Sequence, residues 1–385
     1  MYNFVDLPLH KGHVPSWLFS RMMKLSSIIL KIMIDEYGIR ETIKRFSNPI
    51  FFQSLNNLIG MDWDSSGSTT ITTAVLREVL SREELGIKVL GGKGLKALEI
   101  SREIYKIPKH YNVNSEELEK NSRLIAKIDN AALQDGYILY HQAIIIGEEG
   151  SWAIIQQGMN VNRRMARRYH WWMETTYLNN PHSGILGIKE KSVLNLTSSK
   201  SEECRRVIVD LLNESPVKVL RDYKIITNMI KSRNSDNILK YLGHHSDDKI
   251  NDVRLKVIRN IGLNINEKVI LKVGSVDDFK ELLLIRGIGP STILALTLIA
   301  ELIYNTEADW NDPEVVDPRK FTFAFGGKDC SPYPVNKQVY DEVLDILMKV
   351  CEKLRSTSGL RMYLKHLYLV SKKLKLPLEL VKPTP

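Results

Sequence analysis

Cysteine is scarce, with three in 385 residues, at Cys204, Cys330 and Cys351. An odd and widely spaced set excludes both a disulfide framework and a CxxC-type zinc site, and sets the expectation of a reducing, cytoplasmic setting. Long apolar runs are missing too. The longest, around Leu294 to Ile303, is interrupted by Thr297 and Glu301, and falls short of the roughly 18 residues that a membrane span requires. The opening MYNFVDLPLHKGH lacks a signal-peptide layout, and no internal repeat or low-complexity tract is visible. Acidic charge is outnumbered: 54 Lys and Arg stand against 45 Asp and Glu, a net charge of +9. A basic surplus favours a polyanionic partner, because cationic surface gains free energy by releasing counterions from phosphate. A merely soluble basic protein shows the same sum, so what matters is where the charge sits.

The spacing of apolar residues predicts helices broken by short loops over residues 1 to about 80, through WLFSRMMKLSSIILKIMIDEYG and NPIFFQSLNNLIG. Gly86 to Leu90 reads as a short strand ending in the glycine-rich Gly91 to Gly94, and residues 99 to 128 read as helical with a loop near Pro108. GYILYHQAIII and WAIIQQGM, joined by GEEGS, predict a β-hairpin. VNRRMARRYHWWMETTYL is expected to be a helix, and helical spacing returns from Ser201 onward. The pattern is of α+β class, with a mixed domain over 1–200, a helical connector over 201–265 and a helical domain over 266–385.

The most specific motif is DDFKELLLIRGIGPSTILALTLIAELIY, Asp277 to Tyr304. It carries two helices joined by a turn at Gly287, Ile288 and Gly289, and resembles the helix-hairpin-helix motif. Glycine lets the backbone turn sharply, and amides at the start of the second helix point outward at its positive dipole end. A DNA phosphate can sit there without any reading of base sequence. Pro290 suits the first helical turn, Arg286 adds charge, and Ser291 and Thr292 are expected to add hydroxyl donors. A tight αα-hairpin that only closes a turn has the same sequence. Asp312 and Asp317 follow in NDPEVVDPRKF, where base-excision glycosylases with this hairpin place a catalytic aspartate; Asp317 is the candidate for that chemistry.

DLPLHKG, MDWDSSGSTT, GGKG, DNAALQDGYILYHQ, IIQQGM and RRYHWW combine polar, glycine and aromatic residues beyond what a core needs. Together with the hairpin they resemble the family called domain of unknown function 763, over nearly the whole chain. That resemblance brings no reaction and no catalytic residue with it.

Chemistry is therefore argued from residue type. Asp62 and Asp64 alternate with Trp63, and in an extended segment would share a face able to bind a divalent metal. Equally, Asp64, Ser65 or Ser66 suits a helix cap. Lys93 in the GGKG loop offers a phosphate contact, although the loop lacks the spacing of a P-loop. Asp135, Tyr137, Leu139 and His141 are expected on one face of their strand, joined by one of Gln156 and Gln157. Asp135 fits the first acid of a restriction-type nuclease, whereas Gln157 and Met159 stand where an acid and a lysine are wanted. His141 and His170 are acid/base candidates, with Asp6 and His10 added as polar residues of the N-terminal segment. In the basic run Arg163, Arg164, Arg167 and Arg168, helical spacing would put Arg164, Arg167 and Arg168 in a cationic stripe flanked by Tyr169, Trp171 and Trp172, able to stack on unpaired bases. Lys353 to Lys375 is a second basic stretch.

These expectations converge on a DNA-binding protein of DNA repair or processing. The leading activity is a nuclease using Mg²⁺ held by Asp62, Asp64 and Asp135. A lyase-free glycosylase and a non-catalytic DNA-binding scaffold are the alternatives.

Overall fold

A computed structural model describes residues 7–8, 14–61, 66–231, 248–313 and 315–316, with 338, 340, 341 and 343–345. The chain is of α+β class, built on one mixed, mainly antiparallel sheet with helices on both faces.

Three helices come first: α1 (Ser16–Phe46), α2 (Pro49–Leu58) and α3 (Gly67–Arg82). Gly38, at φ 75°, kinks α1, a backbone angle that costs glycine little. Asn48 caps α2 by accepting from the amides of Ile50 (2.9 Å) and Phe51 (3.2 Å), and Pro49 occupies the first turn, where its missing N–H is no loss.

The sheet contains β1 (Leu7–Pro8), β2 (Ile87–Lys93), β4 (Ile138–Gly147), β5 (Trp152–Asn160), β6 (Met165–Trp172), β7 (Gly184–Leu186) and β9 (Val315–Val316). Its order is β2-β4-β5-β6-β7-β9, with β1 also pairing β6; β7 and β9 run parallel. The expected hairpin is β4 and β5, joined through residues 148–151. Two-residue strands β3 (Leu133–Gln134) and β8 (Leu194–Asn195) pair separately. Between β2 and β3 lie α4 (Leu95–Leu98), α5 (Ile100–Ile104), α6 (Ser115–Lys127) and a π-helical turn, Ile128–Ala132. After β8 come α7 (Glu202–Glu214), α8 (Pro216–Lys231), α9 (Asp248–Ile261), α10 (Glu267–Ile270), α11 (Phe279–Leu284) and α12 (Pro290–Leu302).

One expectation is overturned. RRYHWW lies in strand β6, not in a helix. Its residues are buried from Ala166 to Trp172, because helices cover both faces of this central strand; a strand buried on both sides loses the polar alternation that marks a half-exposed one. Arg164, at φ 55°, belongs to the turn joining β5 to β6.

Two hydrophobic clusters follow from this layering. One fills the space between the sheet and α1, α2 and α3, using Ala143, Ile145, Ile155 and Trp172 from the strands. Tyr340, Val343 and Leu344 join it from the C-terminal segment. The other starts on the opposite face at Ile144, Ile154, Tyr169 and Trp171 and continues through α6, α7, α8, α11 and α12. Its packing runs without a break across both boundaries expected at 200 and 265.

Candidate functional site

Strand register gathers several of the candidate residues into one row. Lys93 on β2 lies opposite His141 on β4, His141 opposite Gln157 on β5, and Gln157 opposite Arg168 on β6. His170, two residues beyond Arg168, is on the same face. An irregularity between Leu139 and His141 shifts the register of β4. β4 begins only at Ile138, so Asp135 precedes the strand and does not share a face with His141 as expected: Asp135 bonds Tyr169 on one side, and His141 meets α3 on the other.

Helix α3 lays a hydroxyl-rich face over this row. Thr69 donates from Oγ1 to Gln157 Oε1, and the Gln157 amide donates to the Ser66 carbonyl (2.9 Å) and the Tyr140 hydroxyl. Thr73 Oγ1 lies 3.3 Å from His141 Nε2. Helix α2 supplies amides. Arg168 Nη2 donates to Gln53 Oε1 (2.5 Å), and the guanidinium stacks 4.9 Å from the Phe52 ring centroid. The Asn56 amide, in the orientation that satisfies both its ends, donates to Thr72 Oγ1 (2.6 Å) and accepts from Arg168 Nη1 (3.2 Å). His170 Nδ1 lies 3.1 Å from the Phe46 carbonyl.

Among the described residues, no carboxylate pairs with Arg168. Burial without a counter-charge pulls its pKa down to about 9. Burial, with the charges of Arg168 and Lys93 nearby, holds His141 down at about 3, and burial lowers His170 well below its ordinary value. Both are neutral imidazoles near neutral pH. The row is thus rich in donors and poor in anions.

At its open end the row borders a pocket of about 180 Å³ between α3 and β2, lined by Thr70, Thr73, Arg77, Gly91, Gly92, Lys93 and Lys96. Gly91 has φ 79°, and a Cβ there would come within 2.4 Å of the Gln142 carbonyl oxygen, so only glycine allows this path. Arg77 and Glu103 lock the strand. Arg77 Nη1 donates to the Gly91 carbonyl (2.6 Å), Nη2 binds Glu103 (2.5 Å), and Glu103 accepts from the Gly91 amide (2.6 Å).

The opposite face holds a different cluster. Arg167, with no solvent exposure, bonds Asp135 Oδ2 through Nη1 (2.9 Å) and both oxygens of Asp312 through Nη2 (2.8 and 2.9 Å). Tyr169 donates to Asp135 (2.7 Å), the Tyr137 amide takes the other Asp135 oxygen (3.1 Å), and the Glu190 amide donates to Asp312 (2.7 Å). Asp135 is therefore engaged by Arg167, Tyr169 and Tyr137 instead of standing open to the divalent cation expected of it. Among the described residues there is no cluster of three or more His, Cys, Asp or Glu that could hold a metal.

The expected cationic stripe is also corrected. As consecutive strand residues, Arg167 and Arg168 point to opposite faces and both lie inside. Trp171 is fully buried and donates from Nε1 to Asp129 (2.8 Å), so it presents no stacking surface. Arg163 pairs with Glu190 at the rim. Asp6, His10, Asp62, Asp64, Asp317 and Lys353 to Lys375 lie outside the described residues.

The Gly287–Gly289 segment connects α11 to α12. Arg286 and Gly287 are exposed and Ile288 is fully buried. Gly287 has φ 97° and packs against Val269, in the α10 segment that also carries the exposed Lys268 and Lys272. Lys127, at the end of α6, donates to the Ile288 carbonyl (2.6 Å); burial and the neighbouring Arg123 lower its pKa. The hydroxyls of Ser291 and Thr292 are directed inward, to the carbonyls of Ile261 (3.2 Å) and Asn264 (3.1 Å). They tie α12 to the end of α9 in place of the ligand role expected of them.

A family model described as "Protein of unknown function (DUF763)" matches residues 3–335. The chain belongs to that family. Neither a search of curated proteins nor one of solved structures returned a match. The match spans the whole sheet, both polar clusters and the α11–α12 pair, so those features lie within the family's domain.

The row's helical partners were not anticipated from sequence. Thr69, Thr72 and Thr73 follow the cap candidates Asp64, Ser65 and Ser66, and hydroxyls spaced three and four apart within an otherwise apolar helix mark one polar face. Gln53, Asn56 and Arg77 carried no comparable signal.

Proposed function

We propose that the protein binds DNA in DNA repair or processing, gripping the phosphate backbone through the turn between α11 and α12 used as a helix-hairpin-helix. The observation that carries this reading is the meeting of an exposed Arg286–Gly287 turn with Arg123, Lys127, Lys268 and Lys272, drawn from two other segments. The amides of Ser291 and Thr292 precede the first ladder bond of α12, which runs from the Ile293 amide to the Gly289 carbonyl. They are left for a phosphate oxygen at the positive end of the helix. Such contacts position a duplex without reading its bases.

Binding of a fluorescent duplex tests this. Reversing two exposed charges, Arg286→Glu with Lys268→Glu, is expected to weaken affinity by about tenfold or more and to flatten its salt dependence, as loss of phosphate contacts does. Unchanged affinity and salt slope in the folded variant would overturn the assignment.

The enzymatic part of the proposal is Mg²⁺-dependent cleavage of a phosphodiester, with Asp62 and Asp64 as the carboxylates. Gapped, flapped, uracil-containing and abasic DNA, each with and without EDTA, separate the outcomes. Cleavage abolished by EDTA supports the nuclease. An abasic product formed despite EDTA supports a glycosylase using Asp317, and binding without product supports a scaffold.

A further inference from the structure

We infer that the pocket between α3 and β2 receives the terminal phosphate of a phosphomonoester, and that of a DNA strand end in particular; the last step rests on the DNA reading above.

The pocket's charge is unbalanced. Of its three cationic side chains, Arg77 is matched by Glu103 at 2.5 and 3.2 Å. Lys93 and Lys96 are exposed, and among the described residues neither has an acidic partner. The lining therefore carries two uncompensated ammonium groups, which repel a metal cation and attract an anion. No carboxylate stands in the strand row behind it: Lys93 is followed by His141, Gln157 and Arg168. The lining hydroxyls belong to Thr70 and Thr73.

Backbone shape brings the two lysines together. Gly91, Gly92 and Gly94 all have positive φ, bending the chain out of β2 and into α4. Gly92 faces the Lys96 stem, whose Cβ would be 3.4 Å from a Cβ at that position. A larger residue there would push Lys96 out of the pocket it shares with Lys93.

Two free positive charges match a terminal phosphate, which is close to doubly charged at neutral pH. An internal phosphodiester carries one charge and is tethered by sugars on both sides, a poorer match to a small concave site. Beside Lys96, α4 also presents Leu95 and Leu98, 78% and 80% exposed. A nucleobase next to the bound phosphate would cover this apolar surface, which inorganic phosphate leaves in water.

The test uses the full chain. Inorganic phosphate is titrated by calorimetry, followed by pairs of single-stranded oligonucleotides that differ only in a phosphate or hydroxyl at the 5′ end, or at the 3′ end. Lys93→Gln with Lys96→Gln is expected to weaken phosphate binding by about tenfold or more, with an unchanged melting temperature because both residues are exposed. Wild-type protein is expected to prefer one phosphorylated end by about fivefold or more. That preference should vanish in the lysine variant and persist in the Arg286→Glu, Lys268→Glu variant. Failure of wild-type protein to bind phosphate, or undiminished binding by the lysine variant, would overturn the site. Phosphate binding with no preference for either phosphorylated end would overturn the strand-end assignment and leave a site for smaller phosphomonoesters. Undiminished duplex binding by the hairpin variant, with the lysine result intact, would instead count against the DNA-gripping turn.

Discussion

Arg167 and Arg168 are neighbours on β6, both fully buried, yet the fold holds them in opposite ways. Arg167 faces the ring of Tyr137 and is gripped by Asp135 and Asp312. Arg168 faces α2 and α3 and meets only the amides of Gln53 and Asn56 and the ring of Phe52. Burial lowers the pKa of either guanidinium, but for Arg167 the two carboxylates outweigh it and the pKa is raised, whereas Arg168 falls to about 9. One face of the sheet balances its buried charge internally. The other leaves Arg168 without a counter-charge, in a neutral row that reaches a cationic pocket. The first arrangement is a staple tying β6 to the approach to β4 and to the segment after α12. The second is the face on which the proposed phosphate pocket opens.

The sharpest way to break the comparison is to remove the paired guanidinium. Arg167→Met leaves two carboxylates buried without a counter-charge and is expected to cost about 3–5 kcal/mol, read by chemical denaturation. Adding Asp135→Asn and Asp312→Asn should recover most of that loss. A cost below about 1 kcal/mol for the single change would mean that the staple does not hold the fold.

Acidification sets the two faces against each other. His141 is held at about 3 against an ordinary 6.5, and His170 moves the same way. Between those values the unfolded chain binds more protons than the native one, so stability falls as pH falls, by about 1.4 kcal/mol per unit for each histidine. Asp135 has the opposite sign. Burial, only partly offset by Arg167 and Tyr169 and reinforced by Asp312, pushes it up to about 6 from 3.8. Native protein then binds the extra proton, and acidification through pH 6 stabilises it. Asp312, also raised by burial, has the same sign as Asp135, so between pH 6.5 and 5 the net expectation is a loss of up to about 2 kcal/mol, measured by urea unfolding at each pH. With His141→Gln and His170→Gln the slope should reverse; a slope unchanged in that variant would remove the histidines from the account.

The smallest expected effect is that of Arg168→Met, about 1–2 kcal/mol. The substitution loses neutral-amide hydrogen bonds but also removes the cost of burying a lone charge. A loss as large as that of Arg167→Met would show that the two faces do not differ as described.

Much of the secondary structure was legible because local patterns are consistent with the packing. The 3.6-residue periodicity of α1 and α2 and the β4–β5 hairpin both follow from it. β6 was misread because burial on both faces erases the period-two alternation, leaving arginines and aromatics whose spacing also suits a helix. The irregularity between Leu139 and His141 was equally invisible, since only cross-strand pairing reveals it, and so was the start of β4 at Ile138, which leaves Asp135 before the strand.

The sequence by itself determined the α+β class, the family, the two-glycine turn before α12 and the glycines that bend β2 into α4, since each rests on residue type or short-range spacing. Tertiary structure alone decided which buried charge would be paired. That choice depends on Asp312, 145 residues from Arg167, and on the facing helices: α2 carries no acid, and Glu78, the one acid of α3, pairs with Arg82 instead. It also set Thr73 and Arg77 beside Lys93 and Lys96 around one pocket, because the docking of α3 on β2, not proximity in sequence, brings those side chains together.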